Sequence, residues 1–459
     1  MADLDAVLSR ADGNLDSSLN RLCDLVRIKS ISTDPEFSDH CREAANWLAG
    51  MLNELGFDAS VRDTDGHPMV VGHHDGPEGA PHVLFYGHYD VQPVDPLELW
   101  THDPFEPAVR EMPAGRPVIT GRGTSDDKGQ LLTFVEACRA YKEVTGALPC
   151  KVSILFEGEE ECGSPSLKPF LAAHAEELKA DLVLVCDTGM WNEETPSISV
   201  SLRGLVTDEV TVKAADRDLH SGHYGGNAAN PIHILASIIG AMHDENGRVT
   251  IPHFYEGVPE TPDHIKAMWE ALGPPENFLE ELGLSIPSGE SDRTILERSW
   301  ARPTAEINGI SGGYTGEGFK TVIPAEASAK VSFRLVGDQD PDAIRVNFQD
   351  FVRQRIPADC AVEFHAHGTS GGIQLPFDSP ALAKAAGALE DEWGRPAALV
   401  GMGGSIPIVG DFQKMGMDSL LVGYAHADDR IHSPNEKYDV RSFHKGIRSW
   451  ARILRALAG

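Results

Sequence analysis

Three short runs constrain the fold of this chain more than any other feature: "HVLFYG" (82–87), "KVSILFEG" (151–158) and "DLVLVCD" (181–187). Apolar residues occupy successive positions in each, so both faces of each strand must be buried. Such a strand belongs inside a sheet with helices above and below. The intervening sequence supplies them. Leu15, Leu19, Leu22 and Val26 recur at helical spacing within 15–28, as do Ala45, Trp47, Leu48, Met51, Leu52 and Leu55 within 41–55. "GQLLTFVEACRAYKEV" (129–144) places Leu131, Leu132, Val135 and Cys138 on one helical face, and "PSLKPFLAAHAEEL" reads as another helix. This alternation predicts an α/β fold: a large domain with a mainly parallel central sheet flanked by helices.

The texture changes near residue 203. "LVTDEVTVKA" (205–214) alternates with period two, as a half-buried strand does, and "NPIHILASIIGAMHDE" reads as a helix. "SAKVSFRLVG" (328–337), "PDAIRVNFQDFVRQRI" and "CAVEFHAHG" then read as strand, helix and strand. Two half-exposed strand and helix units predict a small α+β domain of the split βαβ kind. Helical pattern returns in "PALAKAAGALEDEW", and "MDSLLVGYA" reads as a strand rejoining the main sheet. The large domain is therefore expected over 1–202 and 371–459, interrupted by a smaller one at 203–370. Within 251–325, rich in Pro and Gly, no element is assigned.

Ligands of open α/β sheets bind at the carboxyl ends of the strands. Here the first strand runs into His88-Tyr89-Asp90, the second into Glu159-Glu160-Glu161, and the third into Asp187. "GRGTSDDKG" sets Asp126 and Asp127 in a Gly-rich loop just before a helix, and "HADDRIHSPNEKYD" holds His426 and His432. Gathering so many carboxylates at one sheet edge costs several kcal/mol in mutual repulsion unless a cation is present. Imidazole and carboxylate donors without thiolate suit Zn²⁺, Mn²⁺ or Co²⁺. Two His and three acids also exceed the three protein ligands of one catalytic zinc. A shared carboxylate would make a two-metal site, which is hydrolytic chemistry.

"GHYDVQP", "GRGTSDDKG", "EGEEECGS", "VCDTG" and "HSPNEKYD", in that order, resemble the M20 metallopeptidases, and the resemblance runs over nearly the whole chain. "DLHSGHYGG", "KTVIP" and "GGSIPI" bring it nearest the branch of cytosolic non-specific and carnosine dipeptidases. The resemblance implies that His88 and Asp187 hold one metal, Glu161 and His432 the other, and Asp126 bridges them. It implies Asp90 as the brace behind His88, on the same side of the extended strand end. Glu160 is implied as the general base, with Glu159 an exposed neighbour. The inserted domain would be a lid and dimerisation domain, making the protein a homodimer. From it His220 would stabilise the oxyanion in the partner subunit's site, and Arg334 would clamp the substrate carboxylate with Thr321 and Ser405. Gly403 and Gly404 would admit the backbone close to the ligand. The chain departs from the related dipeptidases at Glu159, where they often carry a small or apolar residue.

The expected activity is hydrolysis of dipeptides or short peptides with a free C-terminal carboxylate, using two divalent ions, Zn²⁺ or Mn²⁺. An amidohydrolase of N-acyl or N-carbamoyl amino acids would use the same metal machinery. A catalytically silent binding relative should have lost a ligand or Glu160, whereas the full set is present. With 70 Asp plus Glu against 39 Lys plus Arg, the net charge of −31 argues against nucleic acid and anionic membrane partners. The N-terminus shows no signal-peptide pattern, and no apolar run approaches the roughly 18 residues of a membrane span. Seven scattered cysteines without a C-x-x-C pair fit reduced thiols, hence a cytoplasmic protein.

Overall fold

The three apolar runs pair edge to edge in a computed structural model, which describes residues 4–112, 115–274, 278–280, 282–404 and 406–459. Strand His82–His88 lies between Lys151–Glu157 and Leu182–Val185 and is parallel to both. Asp418–Leu421 continues the parallel set beside Leu182–Val185. Only the centre is parallel. Asp58–Arg62, Met69–His74 and Lys151–Glu157 pair antiparallel along one edge, and Ser197–Leu202 pairs antiparallel with Asp418–Leu421 at the other. The short link 63–68 permits a hairpin but no crossover, which is why that edge departs from the expected parallel pattern.

By packing, the chain divides into two units. One comprises Met1–Val200, Leu375–Leu399 and Asp411–Gly459, and the other Ser201–Gln374 and Val400–Gly410. In the first, helices Lys128–Thr145 and Val440–Ala458 cover the parallel strands. Phe85 stacks on Phe134 at 3.9 Å between centroids and meets Trp450 edge-on at 5.7 Å, tying the central strand to both helices. Lys128–Thr145 stops at Gly146, whose φ of 74° closes the helix as an L-residue would not. The helix expected over "PSLKPFLAAHAEEL" is two, Leu167–Ala173 and Ala175–Leu178. His174 leaves helical geometry between them and bonds Glu177 through Nδ1 at 2.8 Å.

In the second unit the sheet order is Thr304–Gly312, Glu326–Leu335, Gly204–Lys213, Ala361–Ser370, antiparallel throughout. Helices Pro231–Gly240 and Pro341–Arg353, capped by the side chains of Asn230 and Asp340, share one core with it, built from Val206, Val210, Leu235, Phe333, Ile344 and Phe348. In chain order this is βαββαβ, the split βαβ arrangement. The strand Thr304–Gly312 arises from the stretch 251–325, in which sequence pattern assigned no element. Helices Asp263–Leu272 and Ile295–Trp300 arise there too. Among the described residues no helix is long and apolar enough to cross a membrane.

Candidate metal centre

Parallel pairing brings the chemistry to one end of the sheet. His88 is level with Glu157 in the register, so the segment after Glu157 leaves the sheet beside His88-Tyr89-Asp90. Two donor groups form there. His88, Asp126 and Asp187 each offer an atom within 4.8 Å of the others, and so do Asp126, Glu161 and His432. Asp126 belongs to both. Its Oδ1 lies 3.1 Å from Nε2 of His88, and its Oδ2 lies 2.9 Å from Nε2 of His432. Nε2 of His432 is also 3.2 Å from Oε2 of Glu161.

The electrostatics match a site built for cations. Burial tends to raise the carboxyl of Asp126, but hydrogen bonds from His432 and His88 hold it below the ordinary carboxylate range. His432 is pushed up to about 10 by its bonds to Asp126 and Glu161. Burial pushes Asp187 well up, with Asp126, Glu160 and Glu161 adding repulsion. Three N and O donors per group, one carboxylate shared, and no thiolate within either group are the donor chemistry of a dinuclear Zn²⁺ or Mn²⁺ centre, and the residues fit it.

Further carboxylates face backbone amides instead. Asp90, fully buried, accepts from the N–H of Glu160 at 3.2 Å and of Glu161 at 3.0 Å, and its Oδ1 lies 3.4 Å from Nδ1 of His88. Nδ1 of His88 lies nearer still to the main-chain carbonyl of Asp90, at 3.1 Å, so Asp90 meets the imidazole through its backbone as well as its side chain and the Glu loop through its carboxylate. Asp127 accepts from the N–H of His88 at 3.1 Å. Glu159 is buried, at 2% exposure, which corrects the expectation of an exposed neighbour. Its carboxylate accepts from His67 N and Ser166 N, each at 2.8 Å, and so closes the loop that carries Glu160 and Glu161. Glu436, fully buried, holds the loop of Asp126 in the same way. The amide-binding roles of Asp127, Glu159 and Glu436 were missed from sequence. No local pattern marks them, because the amides that converge on Glu159 and Glu436 include ones from distant segments.

Glu160 stands apart from these. It enters neither donor group, and among the described residues its carboxylate makes no hydrogen bond. Burial raises its pKa, His88 opposes the rise, and Glu161 adds to it. Glu161 is instead fixed by Gln92, whose Nε2 donates to its Oε2 at 2.7 Å. His432 lies in a strained segment: Arg430, His432 and Asn435 have φ of 58°, 61° and 65°. Left-handed non-glycine residues cost about 1–3 kcal/mol each, and such strain concentrates at functional sites. The other histidine of that loop, His426, forms a further group with Asp428 and Asp429. There Nζ of Lys437 sits 2.9 Å from each carboxylate and supplies the cation.

Of the remaining expected residues, His220, Thr321 and Arg334 lie in the second unit. His220 pairs with Val322, Ser221 N donates to the carbonyl of Thr321 at 3.1 Å, and Nδ1 of His220 accepts from Gly222 N at 3.0 Å. Thus His220 and Thr321 are neighbours. Arg334 is half-buried opposite Thr304 and Leu205, and among the described residues no carboxylate pairs with it. Ser405 lies outside the described residues.

Comparison with known proteins follows the same lines. The sequence pattern of peptidase family M20/M25/M40 matches residues 84–456. Cys-Gly metallodipeptidase dug1 of Schizosaccharomyces pombe is 31% identical, across 99% of this chain and 98% of the relative. The Beta-Ala-His dipeptidase of Homo sapiens is 29% identical, across 82% of this chain and 75% of that protein. Among solved structures, the dipeptidase Dug1p of Saccharomyces cerevisiae superposes with a TM-score of 0.77 at 26% identity, covering 100% of this chain and 99% of that one.

Proposed function

The chain belongs to peptidase family M20/M25/M40 and is a metallopeptidase, and from that premise we propose that it cleaves dipeptides and short peptides bearing a free C-terminal carboxylate. The observation that carries the reading is Asp126, whose two oxygens face two imidazoles at 3.1 and 2.9 Å and which two three-donor groups share. His88 and Asp187 would hold one divalent ion and Glu161 and His432 the other, Zn²⁺ or Mn²⁺, with Asp126 between. Such a pair lowers the pKa of a water and polarises a carbonyl.

The chain's own residues do the rest. Glu160, half-buried and without a competing partner, takes the proton from the attacking water and delivers it to the leaving amine. Asp90 holds the tautomer and orientation of His88 while fixing the amides of Glu160 and Glu161. Arg334, lacking a carboxylate partner among the described residues, clamps the carboxylate of the substrate, assisted by Thr321 and Ser405. His220 stabilises the oxyanion from a partner subunit. A homodimer formed through the second unit is supported by its edge strand Thr304–Gly312, which pairs on one side only among the described residues and leaves Ile310 66% exposed. The seven cysteines are free thiols, which supports a cytoplasmic setting.

The test compares kcat/KM for a dipeptide with that for the N-acetyl form of its C-terminal amino acid, on enzyme stripped and reloaded with Zn²⁺ or Mn²⁺. A clear advantage for the dipeptide is expected. If the acetylated amino acid wins, the metal site stands but the reaction is deacylation.

A further inference from the structure

We propose that Glu436 is a positioning residue for the metal pair: it sets the backbone of the loop whose Asp126 carboxylate the two donor groups share. The inference rests on the reading of Asp126 as the bridging ligand. That loop, Gly121–Asp127, has no helix or strand of its own to satisfy its amides. Glu436 supplies the acceptors. Oε1 accepts from Ser125 N at 2.9 Å and Asp126 N at 3.2 Å, while Oε2 accepts from Gly123 N at 2.9 Å and Nη1 of Arg122 at 2.8 Å. Both oxygens are thus fully used, in a side chain with no solvent exposure.

The surroundings hold Glu436 in turn. Strand Lys437–Asp439 pairs with Pro117–Thr120, so the residue just before that strand comes level with the start of the loop, and Gly121 N donates to the Glu436 carbonyl at 3.0 Å. Arg122 also donates to the Pro93 carbonyl at 3.1 Å and lies over the Trp100 ring at 5.3 Å. Glu436 follows His432 by one turn's worth of chain. One segment therefore delivers the imidazole facing Oδ2 of Asp126 and the carboxylate gripping the amide of Asp126. A shift of the loop moves both Asp126 oxygens together, away from His88 and His432 at once. Both ions should feel it.

Only a Glu meets these demands. Gln offers one oxygen and an NH₂, so two of the four donors would face a donor. Asp is a methylene too short to reach the same amides. Outer-shell partners of metal ligands typically contribute roughly 10- to 100-fold in metal affinity, and Glu436 acts on the ligand common to both sites.

The experiment uses the full chain and titrates Zn²⁺ against a chromophoric chelator in wild type, Glu436→Gln, Glu436→Asp and Asp126→Asn, with the Tm of each stripped protein. Leu48→Ala, a buried apolar truncation in helix Ser38–Glu54, serves as a variant whose Tm falls for reasons unrelated to the loop. Expected is a loss of about 10- to 100-fold in affinity for both ions in Glu436→Gln, with Leu48→Ala binding as wild type. Glu436→Asp, which keeps the charge, should lie between and carries the comparison if the Gln variant does not fold. Wild-type affinity in the Glu436 variants, or an equal loss in Leu48→Ala, overturns the proposal. If Asp126→Asn itself retains both ions, the bridging assignment falls and the inference with it. If Asp126→Asn loses the ions while the Glu436 variants keep them, only the inference falls.

Discussion

Glu160→Gln tests the proposed division between base and ligands more sharply than any other single change. The Glu160 carboxylate belongs to neither donor group and makes no hydrogen bond among the described residues, whereas its main-chain N–H, at 3.2 Å from Asp90, survives the substitution. The amide is isosteric, so fold and metal content should be preserved. What is removed is proton transfer, typically about 100- to 10,000-fold in rate. At 1.36 kcal/mol per decade that is roughly 3–5 kcal/mol of barrier. The assay is kcat/KM on a dipeptide as a function of pH, alongside metal content by elemental analysis. In wild type the rate should fall as pH drops and Glu160 takes up a proton. The variant, with nothing to protonate there, should lose that acid limb and keep two ions per chain. Loss of an ion would mean that Glu160 is a ligand and the roles of the pair are reversed. A fall of less than about tenfold would mean that the proton leaves by another route.

Other consequences follow from packing and charge. Glu159→Ala leaves the N–H groups of His67 and Ser166 without their acceptor, and about 1–3 kcal/mol of stability should be lost for each, read from denaturant unfolding. Gly66→Ala reaches the same place from outside: a Cβ there would lie 1.6 Å from Oε1 of Glu159, so the carboxylate must move, and turnover should fall with Tm. Phe85→Ala removes the ring shared by Phe134 and Trp450 and should cost about 3–5 kcal/mol by the same unfolding measurement. For protein stripped of divalent ions, the pH dependence has a definite sign. His432, raised to about 10, contributes stability that is full below the ordinary His value of about 6.5 and is lost as pH climbs through 10. Asp126, held low, contributes stability present above an ordinary Asp value of about 3.9 and lost as pH falls below it. Stripped protein should therefore melt highest between those limits. The Tm gain on adding Zn²⁺ should widen from neutral pH upward, because metal competes with the proton for the same imidazoles.

Much of this was legible in the sequence, for reasons that also explain the failures. The central strands announced themselves because burial on both faces admits few polar residues, and Val83–Tyr86 are all fully buried. The chemistry at their carboxyl ends was legible because a His or Asp in that position breaks an apolar run abruptly. The strand Thr304–Gly312 was not, since it lies at a sheet edge where half its residues face outward and Gly interrupts the alternation at Gly309. A register shift between Ile307 and Gly309 marks the same irregularity. Glu159 was misjudged because a run of acidic residues ordinarily faces water, and no local pattern reveals that two distant amides, those of His67 and Ser166, converge on it.

That misjudgement bears on how acidic motifs encode a metal centre. Asp126, Glu161 and Asp187 enter the donor groups, but Asp90, Asp127, Glu159 and Glu436 instead accept N–H groups from the segments that carry the ligands. Chemically the two sets are identical, and a count of all these carboxylates as ligands would be more than twice the number in the donor groups. What separates them is the direction in which the backbone presents its donors. A loop without secondary structure has amides that must be satisfied, and a buried carboxylate with two oxygens can satisfy several at once. Burial raises both Asp127 and Glu436, Asp126 adds repulsion, and the amides those two acids bind offset part of the charge they bring to the cluster. The site is therefore held from outside inward: carboxylates fix the loops, and the loops fix the donor groups.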